Sequence, residues 1–294
     1  MTYNDLGTTL EYDTGGVTYT LSGADTTTGL TFHYLGDQGF GLAPLRRITT
    51  RGPLQDGDND IDFRLEPRVL QVPLLVKNES ATARRYQHYQ IREKILDIFR
   101  PQTSGVLRVM VGYTTGGIAD VITRNINVKV LGGLSFDVDP NSWNVRTVVQ
   151  LRADDPTWYS GSGFTGTTLL TTTYFDINIG GTQTFALAGN WPTFPIIRVN
   201  GPITNPTITN NTTGKSIAIT ATISAGAYYD IDLSYGKKTV VDNGGVNRIS
   251  TVSSSSDLAT WALAPGNNVI AITGSGTTSA SDINFSFYHR YTGI

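Results

Sequence analysis

The chain has 294 residues, with 22 Lys plus Arg against 24 Asp plus Glu, and it contains no cysteine. The balanced charge gives no indication of a nucleic-acid or membrane-surface partner, and the missing cysteines exclude a disulfide framework, a thiolate zinc site and a cysteine nucleophile. A chain of this length is expected to form two domains or one large β domain. The first ten residues lack the pattern of a signal peptide, and no apolar stretch is long enough to span a membrane.

Short alternating patterns in the first half predict half-buried strands. Apolar residues alternate with polar ones over residues 17–21, 30–32 and 61–65. Residues 45–57 precede the third of these strands and form a turn-rich excursion with Gly and Pro. Pro67 and Pro73 bracket residues 69–72, which predicts an edge strand or a kinked strand, because proline has no N–H to donate to a central ladder.

Residues 83–100 predict the one α-helix of the chain. Ile91, Ile95 and Ile98 recur at helical spacing, charged residues occupy the other faces, and Pro101 ends the helix. Strand patterns resume at once and predict an antiparallel meander up to residue 151.

A linker rich in Gly, Ser, Thr and Pro predicts a domain boundary after residue 155. We therefore expect an N-terminal domain over residues 1–155 and a C-terminal β-sandwich over residues 156–294. Strand patterns in the second domain occur at 182–187, 195–199, 217–223, 228–233, 261–263, 269–272 and 283–288. The predicted fold class is mainly β.

Acidic residues alternate along one segment that resembles the start of a calcium loop. Asp56, Asp58 and Asp60 lead into Asp62, but Ile61 stands where such a loop needs glycine. A solvated turn that runs into a strand explains the same pattern, so these residues are weak metal candidates and no cofactor is expected.

Catalysis has little support in the sequence. The three histidines are far apart, and no Gly-x-Ser-x-Gly nucleophile elbow is present. Asp230 and Asp232 share one face of a predicted strand and could serve as the two carboxylates of a polysaccharide hydrolase, but a solvent-exposed strand face gives the same alternation. We expect the protein not to be an enzyme.

Aromatic residues of the second half suggest an alternative function. Trp191, Tyr228, Tyr229 and Trp261 could stack on sugars as part of a glycan-binding adhesin module that recognises the host surface. The cores of β-sandwiches also bury tryptophan, so we favour core or docking positions for these residues over sugar binding.

A cluster of arginines is the clearest candidate for a functional site in the first half. Arg46, Arg47 and Arg51 lie within six residues of a turn-rich segment. Guanidinium groups bind carboxylates in a bidentate manner, so the cluster predicts an acidic partner or a solvated loop.

The order of motifs resembles the siphophage distal tail proteins over nearly the whole chain, although the first 29 residues match less clearly. In the first half the motifs are Arg46-Arg47-Ile48, Arg51-Gly52-Pro53, Asp56-Gly57 and Leu65-Glu66-Pro67-Arg68, followed by the helix, Pro101, Gly105 and Asp155-Pro156-Thr157-Trp158-Tyr159. In the second half they are residues 195–202, 205–206, 210–214, 229–232, 242–244 and 263–268.

This resemblance implies a structural subunit of the phage tail tip. It implies that the N-terminal domain is tail-tube-like and forms a homo-hexameric ring, with an interface that includes Arg46, Arg47, Arg51, Gly52, Pro53, Asp56, Gly57 and Arg68. It also implies a galectin-like C-terminal sandwich. The implied partners are the tail tube protein, the end of the tape-measure protein and the tail-tip hub protein, with a receptor-binding protein as a further candidate. The protein would be made in the host cytoplasm and reside in the virion, and DNA would pass the lumen of the ring.

Overall fold

The computed structural model describes residues 8–78, 84–115, 118–138, 144–161, 171–176, 182–234 and 236–294. The chain forms two compact units: unit 1 comprises Met1–Trp158 and Thr292–Ile294, and unit 2 comprises Tyr159–Tyr291. Strands dominate both units, so the predicted mainly β fold class is confirmed. No helix within the described ranges is long and apolar enough to cross a membrane.

Unit 1 is built around one large antiparallel sheet. Its elements in chain order are β1 (Thr8–Thr14), β2 (Val17–Thr20), β3 (Ala24–Asp25), β4 (Leu30–Tyr34), β5 (Leu45–Thr50), β6 (Asn59–Leu65), β7 (Arg68–Lys77), α1 (Arg84–Ile98), β8 (Ser104–Thr115), β9 (Ile118–Gly132), β10 (Asp137–Val138), β11 (Asn144–Ala153) and β12 (Trp158–Ser160), at which the units divide. The strand order along the sheet is β2-β1-β8-β9-β11-β7-β4-β3. Within the described ranges, strands β5 and β6 pair only with each other and form a separate two-stranded sheet.

The predicted helix is confirmed as α1. Ile91, Ile95, Ile98 and the following Phe99 are buried, as the helical spacing of these apolar residues requires. The ring of Phe99 lies 5.0 Å from that of Tyr12 on β1, so the end of the helix packs against the sheet.

Strand β7 corrects the prediction of an edge strand. It lies between β11 and β4 and therefore has neighbours on both sides. Pro73 is tolerated there because the pairing with β4 runs only from Lys77 to Leu74 and ends one residue before the proline. Every second residue of β7 is buried, starting with Arg68.

Unit 2 is a sandwich of two antiparallel sheets. Its elements are β13 (Thr171–Asp176), β14 (Thr182–Leu187), β15 (Ile196–Asn200), β16 (Ile203–Asn210), β17 (Lys215–Ala218), β18 (Thr222–Ile223), β19 (Tyr228–Asp232), β20 (Thr239–Asp242), a 3-10 helix (Ile249–Thr251), β21 (Gly266–Ser275), β22 (Asp282–Phe287) and β23 (Arg290–Tyr291). One sheet has the order β13-β22-β15-β19-β20 and the other β14-β21-β16-β17.

The sandwich core is apolar and continuous between the two sheets. It includes Ile197, Ile231, Phe285 and Ile270, which are all fully buried. The predicted strand at residues 261–263 is not formed: Trp261 and Leu263 are core residues of a loop that makes one isolated bridge, from Leu263 to Thr193.

A buried ion pair joins two strands of unit 1. Arg108 on β8 donates to Glu11 on β1 at 2.9 Å, and their side chains are 2% and 5% exposed. Arg108 also donates to Asn125 on β9 at 3.3 Å, so the guanidinium spans three neighbouring strands. Two charges removed from water are tolerated only when they satisfy each other, which makes each partner strongly dependent on the other.

We expect Arg108→Ala to lower the free energy of unfolding by about 3–5 kcal/mol, because it leaves Glu11 as an uncompensated buried charge. Urea denaturation of unit 1 measures this loss. Arg152→Ala is the control: Arg152 pairs with Asp154, both are about half exposed, and such surface pairs contribute about 1 kcal/mol or less. Equal losses for the two variants would contradict the prediction.

Candidate functional site: an exposed hairpin arm

Residues 45–65, which we call the hairpin arm, form the separate two-stranded sheet of unit 1. Strands β5 and β6 pair from Leu45 opposite Leu65 to Thr50 opposite Asn59, with a bulge after Ile48. The backbone N–H of Glu66 donates to the carbonyl of Pro44 at 2.8 Å and closes the base of the arm. Within the predicted turn-rich excursion, residues 45–50 are therefore strand β5, and residues 51–57 form the turn at its tip.

The tip of the hairpin arm is shaped by local hydrogen bonds. The N–H of Gly52 donates to the side chain of Gln55 at 3.2 Å, and Arg51 donates to the carbonyl of Gly57 at 3.2 Å. Gly57 has a φ of +80°, a conformation that glycine adopts without strain. Leu54 also has a positive φ, of +66°, and its side chain is fully exposed at the tip next to Pro53.

Large apolar side chains of the arm remain in contact with solvent. Leu54 is 107% exposed and Ile61 is 63% exposed. The full set of exposed apolar side chains is Leu45, Ile48, Leu54, Ile61 and Phe63. Apolar residues concentrated on one projecting element mark an interaction surface, because a soluble chain gains nothing by leaving them in water.

The charges of the arm pair with each other. Arg47 contacts Asp60 at 2.6 Å, and Arg51 contacts Asp58 at 2.7 Å. Arg64 lies 3.6 Å from Asp62. Two of the three clustered arginines, Arg47 and Arg51, thus have an acidic partner within the same hairpin. These pairs are exposed, so they orient the side chains but contribute little stability.

The ion pairs with the arginines also explain why the aspartates of the arm do not turn toward a common point at which a metal ion could bind. Asp58 and Asp60 point to Arg51 and Arg47 respectively, and not to each other. Among the residues that the structure describes, no three His, Cys, Asp or Glu side chains are grouped so that they could hold a metal ion.

Arg68 does not belong to the exposed surface of the arm. It is 1% exposed and donates to backbone carbonyls inside unit 1. Its predicted place in a subunit interface is therefore corrected: the guanidinium is not accessible to another chain. The sequence did indicate this burial, because Arg68 falls in the same two-residue alternation as the buried Leu70, Val72, Leu74 and Val76.

The candidate aromatic residues of unit 2 do not form one exposed platform. Trp261 and Tyr229 are buried in the sandwich core and are not available to a ligand. Tyr228 is half-buried and its ring is covered by Arg198, whose guanidinium lies 4.0 Å from the ring centre. Trp191 is half-buried, and its backbone N–H donates to the carbonyl of Arg290 at 3.2 Å.

The two carboxylates that the hydrolase hypothesis requires are engaged in ion pairs. Asp230 accepts two hydrogen bonds from Arg198, at 2.7 and 2.8 Å. Burial acts to raise the pKa of Asp232, but hydrogen bonds from Ser234 and Lys237 outweigh it and hold the pKa below its usual range. A general acid needs the opposite shift, so this geometry gives the hydrolase hypothesis no support.

Comparisons with known proteins give a family match and a fold match. The sequence profile of the C-terminal domain of siphovirus-type tail components matches residues 188–291. The crystal structure of the Dit protein (gp 19.1) of phage SPP1 superposes with a TM-score of 0.65 at 14% identity, covering 96% of this chain and 98% of that chain. A chain of the phage P2 baseplate gives a TM-score of 0.48 at 9% identity, with 98% and 99% coverage. No curated protein sequence matches significantly.

We expect Ile61→Ser to change the free energy of unfolding of the single chain by less than about 0.5 kcal/mol, because the side chain is already exposed. Ile126→Ser is the control, since Ile126 is fully buried in unit 1 and its loss leaves a cavity and a buried hydroxyl that together cost about 3 kcal/mol or more. Urea denaturation at a dilution that yields the mass of one chain measures both. A loss at position 61 similar to that at 126 would show that the arm packs within its own chain.

Proposed function

We propose that this chain is a siphovirus-type tail component and that it forms a homo-hexameric ring that joins the tail tube to the tip. The family match over residues 188–291 and the fold shared with the SPP1 Dit protein support its coarser role as a structural component of a phage tail. In the proposed assembly the ring contacts the tail tube protein, the end of the tape-measure protein and the tail-tip hub or baseplate. DNA passes through its lumen.

The hairpin arm carries this proposal. A closed ring requires a heterologous interface, in which one surface of a subunit contacts a different surface of the next. An arm that projects exposed Leu54 and Ile61 and pairs with no other strand supplies the first of these surfaces. In our proposal, unit 1 of the next copy of this chain covers the apolar side chains of the arm.

The charges of the arm favour a partner that is a copy of the chain itself. No acidic side chain of the described residues lies within ion-pair distance of Arg46, and no basic one lies within that distance of Asp56. The guanidinium of Arg46 in one copy and the carboxylate of Asp56 in another carry opposite charges and can therefore pair across the contact. We therefore retain Arg46, Arg47, Arg51, Gly52, Pro53, Asp56 and Gly57 as interface residues and remove Arg68 from this set.

The lumen of the proposed ring is expected to be acidic or neutral. Clustered Lys and Arg would release counterions from DNA and retain its phosphates, which would impede passage. The whole chain has 22 basic and 24 acidic residues, so its composition provides no excess of positive charge for such a lining.

We expect Leu54→Ser/Ile61→Ser to abolish ring formation, because the double change removes the apolar contact that the next copy would cover. Multi-angle light scattering after size exclusion is the measurement: the wild-type chain has the mass of six chains and the variant that of one. Arg51→Ala, which frees Asp58 and loosens the tip, is expected to shift assembly to higher protein concentration.

Val246→Ser is the matched control, because Val246 is a similarly exposed apolar residue of unit 2. It is expected to keep the six-chain mass. A wild-type chain that stays single at high concentration would refute the ring, and a double variant with unchanged mass would refute the arm as its interface.

A further inference from the structure

Arg68 is a charged residue in an apolar position. It is the first residue of β7 and points to the same side as the buried Leu70 and Val72. Burial lowers the pKa of its guanidinium to about 10, while the charge of Asp155 opposes this shift. The group therefore keeps its charge at neutral pH, and a buried charge persists only where the structure satisfies it.

Backbone carbonyls from two distant parts of the chain satisfy this charge. One terminal nitrogen of Arg68 donates to the carbonyls of Gly41 at 2.8 Å and Gly39 at 3.1 Å. The other terminal nitrogen donates to the carbonyl of Thr292 at 2.6 Å. The planar fork of arginine thus joins residues that are separated by some 250 positions in the sequence.

Close backbone contact holds the last residues of unit 1 against the same loop. A side chain at Gly293 would place its Cβ only 2.9 Å from the carbonyl carbon of Gly41. The N–H of Ile294 donates to the carbonyl of Phe40 at 3.2 Å. Residues 292–294 therefore pack on residues 39–41, and Arg68 bonds to both segments.

The guanidinium also contacts the residue at which the chain leaves unit 1. Its central carbon lies 5.9 Å from the centre of the Trp158 ring, and Trp158 is fully buried against Phe40. The chain passes out of unit 1 directly after Trp158 and returns to it at Thr292. Arg68 therefore contacts the last residue before the first crossing and the first residue after the second.

We propose that Arg68 is a clamp that fixes both chain crossings between the two units at one point of unit 1. The clamp keeps residues 292–294 docked on residues 39–41 within unit 1. A lysine could keep the charge but has no planar fork, so it cannot bond to Gly41 and Thr292 in the same arrangement. The clamp lies within one chain, and its existence does not depend on ring formation.

Arg68→Lys tests the clamp by two measurements. Amide hydrogen exchange of the peptide 288–294 is expected to be at least about tenfold faster than in the wild-type chain, since docking of this segment loses a charged hydrogen bond. Arg64→Lys is the control, an exposed arginine of the same unit, and is expected to exchange like the wild-type chain.

The second measurement follows the position of residues 292–294 within unit 1. Because the chain has no cysteine, cysteines introduced at the exposed Glu93 and Ile294 are the only sites for spin labels. Labelled chains diluted with unlabelled ones report distances within one chain. We expect one narrow distance distribution for the wild-type chain and a broad one for Arg68→Lys. Unchanged exchange and an unchanged distribution would overturn the proposal.

Gly293→Ala keeps the test decisive if Arg68→Lys does not fold. The added Cβ would press on the backbone of Gly41 and displace residues 292–294 while Arg68 stays in place. The clamp predicts faster exchange and a broader distribution for this variant as well. Gly23→Ala is its control, since a Cβ there meets nothing closer than 3.9 Å. A wild-type result for Gly293→Ala in both measurements would refute the clamp.

Discussion

Two paired strands have no second layer on which to bury apolar side chains, and this constraint governs the proposed assembly. In the hairpin arm, β5 and β6 pair only with each other, so Leu54 and Ile61 stay at the surface of the single chain. Full burial of such a side chain contributes about 1.5–3 kcal/mol. In the proposed ring, this stabilisation is gained only when another copy covers the arm. The apolar side chains of the arm are then buried only when the ring closes.

The charges of the arm have a different role from its apolar side chains. The pairs of Arg47 with Asp60 and Arg51 with Asp58 are exposed, so they are screened by salt and add little to stability. Together with the pair of Arg64 and Asp62, they place three arginines beside three aspartates of this narrow element, which offsets repulsion between like charges. Apolar contact would then supply affinity between copies, while Arg46 and Asp56, which have no ion-pair partner among the described residues, would select the register of the contact.

Much of the fold could be predicted from patterns that a single strand or helix displays. The spacing of Ile91, Ile95 and Ile98 predicted α1, and the alternating apolar patterns predicted the mainly β fold. Strand β16 was missed because Asn205 and Pro206 resemble a turn. They lie instead at a bulge, where Asn205 has a φ of +51° and the register with β21 shifts. Arg68 was misassigned because its charge was given more weight than its alternation with Leu70. For Trp261 and Tyr229 the sequence left a core position and a binding platform open, because an aromatic residue is compatible with both, and the structure places them in the core.

The insertion of unit 2 into unit 1 gives Arg68 its significance. A domain inserted between residues 158 and 292 is tied at both ends, and such insertions are tolerated when the two ends lie close together. The guanidinium of Arg68, which contacts Trp158 and Thr292, holds these two ends together within unit 1. A charge buried in an otherwise apolar row of β7 is thus explained by the connection it maintains, since the packing of the sheet alone would favour an apolar residue there.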